Sequence, residues 1–558
     1  MSERIIHDSL SPDWRSPFGA VRETDCVNIR IGVPLSCPAV GASLEVRRDD
    51  GFSLSLPLDP EREERGCAVF GGRLGFFGPG LYFYHFIIKK PDGSFRLFRL
   101  GLSDTNIEEG EEWQITVYSR DYSIPERFRG AVMYQIFPDR FAIGGEVLTE
   151  GKLEPFRVHK STSEQPDRQP DPDGNWNADF FGGNFRGITE KLDYIKDLGV
   201  EVVYLNPIFK AQSSHRYDTA DYLLPDPMLG TEEDFACLCR EAEKRGIAII
   251  LDGVFSHTGS VSAYFKDAAS RPDSPYRSWY KWKSYPDKYE CWWNVRSLPC
   301  VDETCPSYLD FIVRGKGSVL EKWTRLGASG FRLDVADELP DAFISEFRRR
   351  LKEEKPDGLL IGEVWEDASN KISYGERRKY FTGGELDGVM NYPFRCAMLG
   401  FASGRISAAD FRESVMRIVE NYPRDALLCS TVFLSTHDTP RILTALEECG
   451  KGLEGLELAV KIAAFLPGIF CVYYGDESGM KGGKDPYNHG FFREPEKDSR
   501  VYRIWRECIG LRKAHPALRT GDVEIEARDG RLSITRSLGD DTVRLTVCGA
   551  EARIECLG

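Results

Sequence analysis

Hydrophobic and polar residues alternate along much of the first 120 or so positions. The alternation is clearest in three runs, residues 27–31, 53–56 and 96–100. A period of two is typical of strands that bury one face. The aromatic run at 82–86 suits the interior between two sheets. We therefore predict an N-terminal β-sandwich over residues 1–124.

From about residue 131 the pattern changes to a repeated order of strand, loop and helix. Short apolar runs predict seven strands near residues 132, 201, 247, 331, 360, 432 and 470, and one more at 388–392. Apolar runs without alternation are typical of parallel strands that are buried on both faces. Eight such units predict an α/β fold, a (β/α)8 or TIM barrel, over residues 125–516. A doubly wound open sheet is the alternative.

Helix signals lie between these strands. Apolar residues recur at three- and four-residue steps from 187 to 199, where Gly199 ends the pattern. Thr231 precedes three acidic residues, which indicates a helix N-cap followed by a negatively charged first turn.

One gap between barrel strands is unusually long and aromatic. After the third strand, about 50 residues contain four of the ten tryptophans: Trp279, Trp282, Trp292 and Trp293. This insertion, at about 258–306, is either a small subdomain with its own core or a rim on which sugar rings stack. Alternation returns at 523–526 and 532–535, which predicts a short C-terminal β domain over residues 517–558.

Composition and charge narrow the function classes. The chain has 73 basic and 88 acidic residues, a net charge of −15. Such a surface repels phosphate and anionic lipid, so we expect neither nucleic acid nor a membrane as partner. Residues 1–8 lack the apolar segment of a secretory signal. The fifteen cysteines are scattered without zinc-site spacing, as in reduced proteins, and we predict a cytoplasmic location.

Charged and polar residues cluster where the predicted barrel strands end, which is where barrel enzymes carry their active sites. The residues that leave the strands there are His257 after the third, Arg332 and Asp334 after the fourth, Glu363 and Trp365 after the fifth, and His437 and Asp438 after the seventh. A single acid or histidine at such a place is most often a cap or a packing residue. Their occurrence together at one rim favours catalysis.

Two of these acids suit a paired role. Arg332 and Asp334 share a strand face, and the guanidinium favours the ionised, nucleophilic form of Asp334. Adjacent strands lie about 4.8 Å apart, so Asp334 and Glu363 can approach to about 5–5.5 Å, the separation in retaining glycoside hydrolases. Glu363 follows as the general acid/base, because nearby negative charges and the apolar Val364 and Trp365 favour its protonated form.

The chain resembles glycoside hydrolase family 13, the α-amylase family, and within it the neopullulanase, cyclomaltodextrinase and maltogenic amylase group. Besides the strand-end motifs, the resemblance rests on residues 134–141, 181–209, 217–222, 473–477 and 482–488. It implies Asp334 as nucleophile, Glu363 as acid/base and Asp438 as a third acid that holds sugar hydroxyls. The candidates for substrate binding are Arg332, His257, His437, Tyr217, Asp218 and Trp365.

The chain also departs from the family pattern. In place of an Asn/Asp-rich calcium loop it has Ala-Ile-Gly-Gly-Glu at 142–146, and Asn184 stands where Asp is usual. We predict no metal ligand and no cofactor, with a bound calcium ion as the alternative. Ser256 precedes His257 where many relatives have Asn, and residues 298–302 match the group's fifth motif loosely. The N-terminal domain looks like the starch-binding-type module of this group, so we predict a homodimer formed through it.

The resemblance implies a retaining hydrolase of α-1,4 glucosidic bonds in maltodextrins, cyclodextrins or pullulan. Val335, directly after the nucleophile, is similar to members that also cleave α-1,6 bonds. A transglycosylase or isomerase of the same fold is one alternative. A non-catalytic glucan-binding protein is another, which the presence of all three acids disfavours. The sequence specifies neither the preferred linkage nor the ratio of hydrolysis to transfer.

Overall fold

The computed structural model describes residues 4–171, 174–549 and 551–557. It divides into two compact units. The first contains the described residues up to Ser123, together with Asp367–Glu385 and Arg412–Leu427. The second contains the described residues of Ile124–Glu366, Leu386–Phe411 and Leu428–Gly558. The three domain boundaries drawn from the sequence stay predictions, and residues 1–3 of the start considered above lie outside the described residues.

The first unit is built from β-strands. Those before Ser123 are Arg15–Ser16, Val21–Arg22, Cys26–Pro34, Gly41–Arg48, Ser53–Glu64, Cys67–Gly75, Gly80–Lys90, Gly93–Leu100, Asp104–Ile107 and Trp113–Tyr118. The long strand Ser53–Glu64 pairs through its first half with Gly41–Arg48 and through its second half with Cys67–Gly75. It therefore belongs to both sheets and joins them. Ile372–Ser373 and Glu376–Arg377 form a separate hairpin in this unit.

Alternating side chains of these strands form one apolar core, as the sequence pattern predicts. Ile29 and Ile31 of one sheet and Tyr84 and Phe86 of the other are fully buried in the same cluster. Trp113 stacks on Tyr84 within it, with ring centroids 5.5 Å apart. The prediction of an N-terminal sandwich is confirmed.

Eight parallel strands of the second unit close into a barrel. They are β1 (Val132–Ile136), β2 (Val202–Leu205), β3 (Ala248–Gly253), β4 (Gly330–Leu333), β5 (Leu359–Val364), β6 (Gly388–Asn391), β7 (Thr431–Phe433) and β8 (Ile469–Tyr473). Each strand pairs with the next, and β8 pairs with β1. All eight predicted strands are present, and the alternative of an open sheet is wrong because this sheet has no free edge.

Helices connect the strands. In chain order the α-helices are Phe185–Glu190, Leu192–Leu198, Glu232–Lys244, Ala263–Ser270, Pro306–Leu309, Val319–Arg325, Asp341–Glu354, Tyr392–Ala402, Ala408–Asn421, Arg424–Cys429, Ile442–Glu448, Gly452–Phe465, Arg500–Ala514 and Pro516–Thr520. Thr231 caps its helix through a reciprocal capping box with Asp234. The helix predicted at 187–199 starts two residues earlier and is interrupted at Lys191. No helix among the described residues is both long and apolar enough to cross a membrane.

The last four strands form an antiparallel meander: Asp522–Arg528, Arg531–Leu538, Asp541–Cys548 and Glu551–Cys556. This confirms the predicted C-terminal β domain. The remaining short strands pair two by two: Arg157–Val158 with Asp179–Phe180, Phe209–Ala211 with Thr219–Pro225, and Trp282–Ser284 with Lys288–Tyr289.

A buried ionic group lies in the first unit. The carboxylate of Glu420 accepts a hydrogen bond from Arg15 through one oxygen and from Arg99 through the other, both at 2.9 Å. The side chains of Glu420 and Arg15 are fully buried and that of Arg99 nearly so. Removing one partner from such a group leaves uncompensated buried charge.

We therefore expect Glu420→Gln to destabilise the protein by about 3–5 kcal/mol, because two buried guanidinium groups lose their counter-ion. Urea unfolding at neutral pH measures the change. Glu413→Gln is the matched control, since Glu413 pairs with Arg417 at the surface and such pairs contribute less than about 1 kcal/mol. Equal stability of the two variants would contradict the expectation.

Candidate active site

The centre of the site is Arg332 of β4, whose guanidinium bridges carboxylates from three neighbouring positions. Nη1 donates to Asp252 Oδ1 of β3 at 2.8 Å and to Asp334 Oδ1, directly after β4, at 2.7 Å. Nη2 lies 2.9 Å from Glu363 Oε2 of β5. All four side chains are buried. Because Asp334 and Glu363 contact the two ends of one rigid fork, they are held as close neighbours.

Further contacts orient the Glu363 carboxylate. The backbone N–H of Val335 donates to Oε2 at 2.8 Å, and the indole N–H of Trp365 donates to Oε1 at 2.9 Å. The Trp365 ring in turn stacks on Tyr392, with centroids 3.8 Å apart. Trp365, predicted as a substrate-binding residue, is therefore also a positioning residue for Glu363.

Val335 has an unusual backbone conformation. Its φ of 37° and ψ of 63° lie in the left-handed region, which a β-branched residue adopts only at a cost. This turn directly after Asp334 aims the Val335 N–H at Glu363. The strain is thus located at the connection between the two candidate catalytic acids.

A network of hydrogen bonds between side chains positions the acid group. The Gln135 amide of β1 donates to Nδ1 of His437 at 2.9 Å, so the neutral imidazole carries its proton on Nε2. His437 Nε2 lies 2.5 Å from the Tyr217 hydroxyl, which donates to Asp252 Oδ2 at 2.8 Å. Tyr204 of β2 donates to the same oxygen. Asp252 therefore accepts hydrogen bonds from Tyr204, Tyr217 and Arg332, and it connects this network of hydrogen bonds to the guanidinium.

Burial opposes the ionisation of two of the acids around Arg332. Burial raises the pKa of Asp334 well above its usual value, and the negative charges of Glu363 and Asp252 add to this. Arg332 acts in the opposite direction, as the sequence analysis expected, but does not prevail. Burial also raises the pKa of Asp252. One cation faces three buried carboxylates, so Arg332 lowers the pKa of Asp334 as expected but does not cancel the effect of burial.

Both candidate histidines are buried and neutral near pH 7. Burial lowers the pKa of His257 to about 4. Burial and the positive charge of Arg332 lower the pKa of His437 well below its usual value. His257 Nε2 lies 3.1 Å from the Tyr217 carbonyl oxygen, and its Nδ1 lies 3.0 Å from the Ser256 hydroxyl. Ser256, noted as a departure from relatives, thus orients the His257 ring.

Two residues predicted from the sequence, Asp438 and Asp218, differ from the other site residues in their surroundings. Asp438 is at the open side, with 37% of its side chain exposed and Oδ2 at 3.2 Å from His437 Nε2. Its negative charge and that of Glu363 repel each other. Asp218, by contrast, accepts hydrogen bonds from the backbone N–H groups of Gln212 and Ser213, both at 3.1 Å. The structure therefore gives Asp218 a role in shaping its own loop.

The four tryptophans of the insertion fall into two pairs. One pair belongs to a small local core, and the other forms an aromatic surface. Trp279 is buried, and Trp282 stacks on Phe265 at 5.8 Å, so these two form a local core. Trp292 lies 5.8 Å from the His257 ring, and Trp293 stacks on Trp292 and is 74% exposed. These two form an aromatic surface beside the site.

Four residues of the site are absent from the candidates named from the sequence: Gln135, Tyr204, Asp252 and Tyr392. The first three lie inside strands at matching positions, where Gln135 pairs with Tyr204 and Asp252 with Arg332. Polar residues within strands otherwise buried on both faces were a signal for them. Tyr392 carries no such signal, because it begins a helix.

The calcium ion that the family resemblance implies does not fit the residues present. The Asn184 amide donates to the Gly144 carbonyl oxygen and accepts from the Gly144 N–H, both at 3.0 Å. It also accepts from the Gly187 N–H at 2.8 Å. A Cβ on Gly144 would lie 2.5 Å from the nitrogen of Gly187. The loop thus packs directly on the start of the helix Phe185–Glu190.

One group of described residues, His159, Asp167 and Asp179, brings metal-ligating atoms within 4.8 Å of one another. Arg140 donates to Asp179 Oδ2 at 3.2 Å, and His159 Nε2 lies 2.9 Å from the same oxygen. Burial acts to raise the pKa of Asp179, but the Arg140 charge and these hydrogen bonds lower it to about 2. The Arg140 guanidinium thus already supplies the positive charge that a metal ion would bring to this group.

A closed (β/α)8 barrel with paired acids on adjacent strands is the arrangement that retaining glycoside hydrolysis requires. The family model of the alpha amylase catalytic domain matches residues 135–299 and 310–494. The chain belongs to the alpha-amylase family.

Individual relatives agree with this assignment. A cyclomaltodextrinase of Geobacillus thermopakistaniensis is 34% identical over 76% of this chain and 70% of its own length. An amylopullulanase of Thermoanaerobacterium saccharolyticum is 33% identical over 93% of this chain, which spans only 45% of that relative. A solved cyclomaltodextrinase structure superposes with a TM-score of 0.69 at 26% identity, covering 98% of this chain and 91% of that one.

The raised pKa of Asp334 predicts a stability effect. An acid whose pKa is higher in the folded state destabilises that state once the pH exceeds its unfolded pKa, about 3.9 for Asp. Asp334→Asn removes this charge, so we expect it to stabilise the protein by about 1 kcal/mol or more at pH 7.

Urea unfolding at several pH values measures this difference. The gain should shrink as the pH falls toward 4, where the carboxyl is protonated in both states. A variant less stable than the parent at pH 7, or a gain independent of pH, would contradict the assignment of the raised pKa.

Proposed function

We propose that the chain is a retaining α-glucan hydrolase that cleaves α-1,4 glucosidic bonds in maltodextrins, cyclodextrins or pullulan through a covalent glycosyl-enzyme on Asp334. The observation that carries the proposal is the contact of Arg332 with both Asp334 and Glu363. Acids on adjacent strands lie about 5 Å apart, and this separation suits direct attack on the anomeric carbon rather than attack by an intervening water.

In the first step Asp334 attacks the anomeric carbon while Glu363 protonates the glycosidic oxygen of the leaving sugar. In the second step Glu363 takes a proton from water, which then cleaves the ester to Asp334. Asp438, at the open side, holds sugar hydroxyls of the same ring. The neutral His257 and His437 and the aromatic surface of Trp292 and Trp293 complete the sugar-binding side.

The site can supply the proton that this mechanism needs. Burial opposes the ionisation of Asp334 and Asp252, and interacting acids of this kind titrate as a group. Glu363 accepts one hydrogen bond at Oε1, from Trp365, and a carboxylate oxygen has a second lone pair. The first step of the mechanism requires an acidic proton on Glu363, for which Oε1 has the free lone pair, and a negative charge on Asp334.

Retention predicts the form of the first product. Hydrolysis of a maltodextrin should release the α-anomer of the new reducing end, followed by slow mutarotation, because two inversions restore the starting configuration. Proton NMR during the first minutes of the reaction measures the anomer.

Two isosteric variants are the controls for this experiment. Asp334→Asn and Glu363→Gln should remain folded and lose at least about 10³-fold in kcat. Initial release of the β-anomer would contradict the proposal, and so would substantial activity in Asp334→Asn.

Cleavage of α-1,6 bonds is the second candidate activity. It is favoured by Val335 directly after Asp334 and by the similarity to an amylopullulanase. Digestion of pullulan separates the two, because panose results from α-1,4 cleavage and maltotriose from α-1,6 cleavage. We expect panose as the main product by chromatography against standards, and maltotriose as the main product would establish the second candidate instead.

We also propose that the enzyme needs no cofactor, acts in the cytoplasm and forms a homodimer through its N-terminal domain. The direct packing of the loop around Gly144 supports the first of these. The scattered cysteines, all free among the described residues, support the second. The resemblance of the N-terminal β domain to modules that dimerise in this group supports the third.

A further inference from the structure

A second cluster of reactive side chains lies at the C-terminal sheet, outside the acid site. His515 follows the helix Arg500–Ala514, Asp541 begins a strand, and Cys556 ends the last strand. Cys556 Sγ lies 3.5 Å from His515 Nε2, and His515 Nδ1 lies 2.8 Å from Asp541 Oδ1. Residues up to 41 positions apart thus form a connected Cys–His–Asp arrangement.

The hydrogen-bond partners determine the proton positions on His515. The Asp541 carboxylate accepts only, so Nδ1 carries the imidazole proton and Nε2 presents its lone pair to the thiol. Partial burial acts to raise the pKa of Asp541, but hydrogen bonds from the Ala517 N–H and from His515 lower it below its usual value. The carboxylate therefore stays ionised and holds the ring with Nε2 toward Cys556.

Backbone hydrogen bonds fix the positions of all three residues. The His515 N–H donates to the Leu511 carbonyl oxygen at 3.1 Å, and the Ala517 N–H donates to Asp541 Oδ2 at 2.8 Å. Cys556 pairs with Val543 across the sheet, and the next residue, Leu557, donates to the Thr542 carbonyl oxygen at 2.8 Å. Cys556 is exposed, so a small molecule can reach its sulfur.

We propose that Cys556 is an activated thiol that forms mixed disulfides with small disulfides, with His515 as its base and Asp541 as the positioning residue for that base. The Cys556 proton passes to His515 Nε2, and the thiolate attacks one sulfur of the disulfide. A new S–S bond forms to Cys556 while the old one breaks. The other sulfur leaves as a thiolate and takes the proton from His515.

The chain contains its own controls for a labelling experiment. Cys396, Cys449 and Cys548 are also exposed, and no hydrogen bond to a histidine is found for them among the described contacts. We expect Cys556 in the intact enzyme to react with glutathione disulfide, and with iodoacetamide, at least about tenfold faster than these three at pH 7. Mass spectrometry of the corresponding peptides measures each rate.

Two variants test the assigned roles. His515→Gln and Asp541→Asn should each reduce the Cys556 rate to that of the control cysteines, while maltodextrin hydrolysis and the thermal midpoint report that the fold is intact. A Cys556 rate equal to the controls in the unmodified enzyme would overturn the proposal whether or not the variants fold. A fast rate that persists in both folded variants would overturn the assigned base.

Discussion

The ionic contact between Arg332 and the acids of three adjacent strands is the constraint on which the site depends. Closing the barrel places β3, β4 and β5 side by side, and Asp252 and Arg332 pair directly across β3 and β4. One planar guanidinium then serves Asp252, Asp334 and Glu363. Three carboxylates would not stay together in a buried place without this cation. The barrel topology and the acid chemistry are therefore coupled through a single side chain.

The residues around this contact hold the acids in fixed positions at a cost in folding stability. Tyr217, His437 and Gln135 continue the hydrogen bonds from Asp252 of β3 to β1. Val335 keeps a strained backbone so that its N–H meets Glu363. Burial meanwhile opposes the ionisation of the acids. Such costs are typical of active sites, where a fixed arrangement of charges lowers the barrier to reaction.

The sequence predicted the scaffold well because its signals are local. Apolar runs marked all eight barrel strands, and the residues leaving them marked Asp334, Glu363 and Asp438. What it missed depends on contacts between distant positions. Asp218 shapes its loop through contacts that exist only in the folded protein. The pKa of Asp334 depends on how many acids share one cation. His515, Asp541 and Cys556 meet only once the C-terminal sheet has formed.

The measurement that tests the central claim most directly is the identification of the covalent intermediate. In a Glu363→Gln variant, an α-maltosyl fluoride with a fluorinated ring needs no acid to leave, and the ester that forms is hydrolysed slowly. Mass spectrometry of the digested protein then locates the sugar. We expect one maltosyl group on the peptide containing Asp334, attached through an ester. A sugar attached to Asp438 or Asp252, or turnover of the fluoride without any adduct, would contradict it.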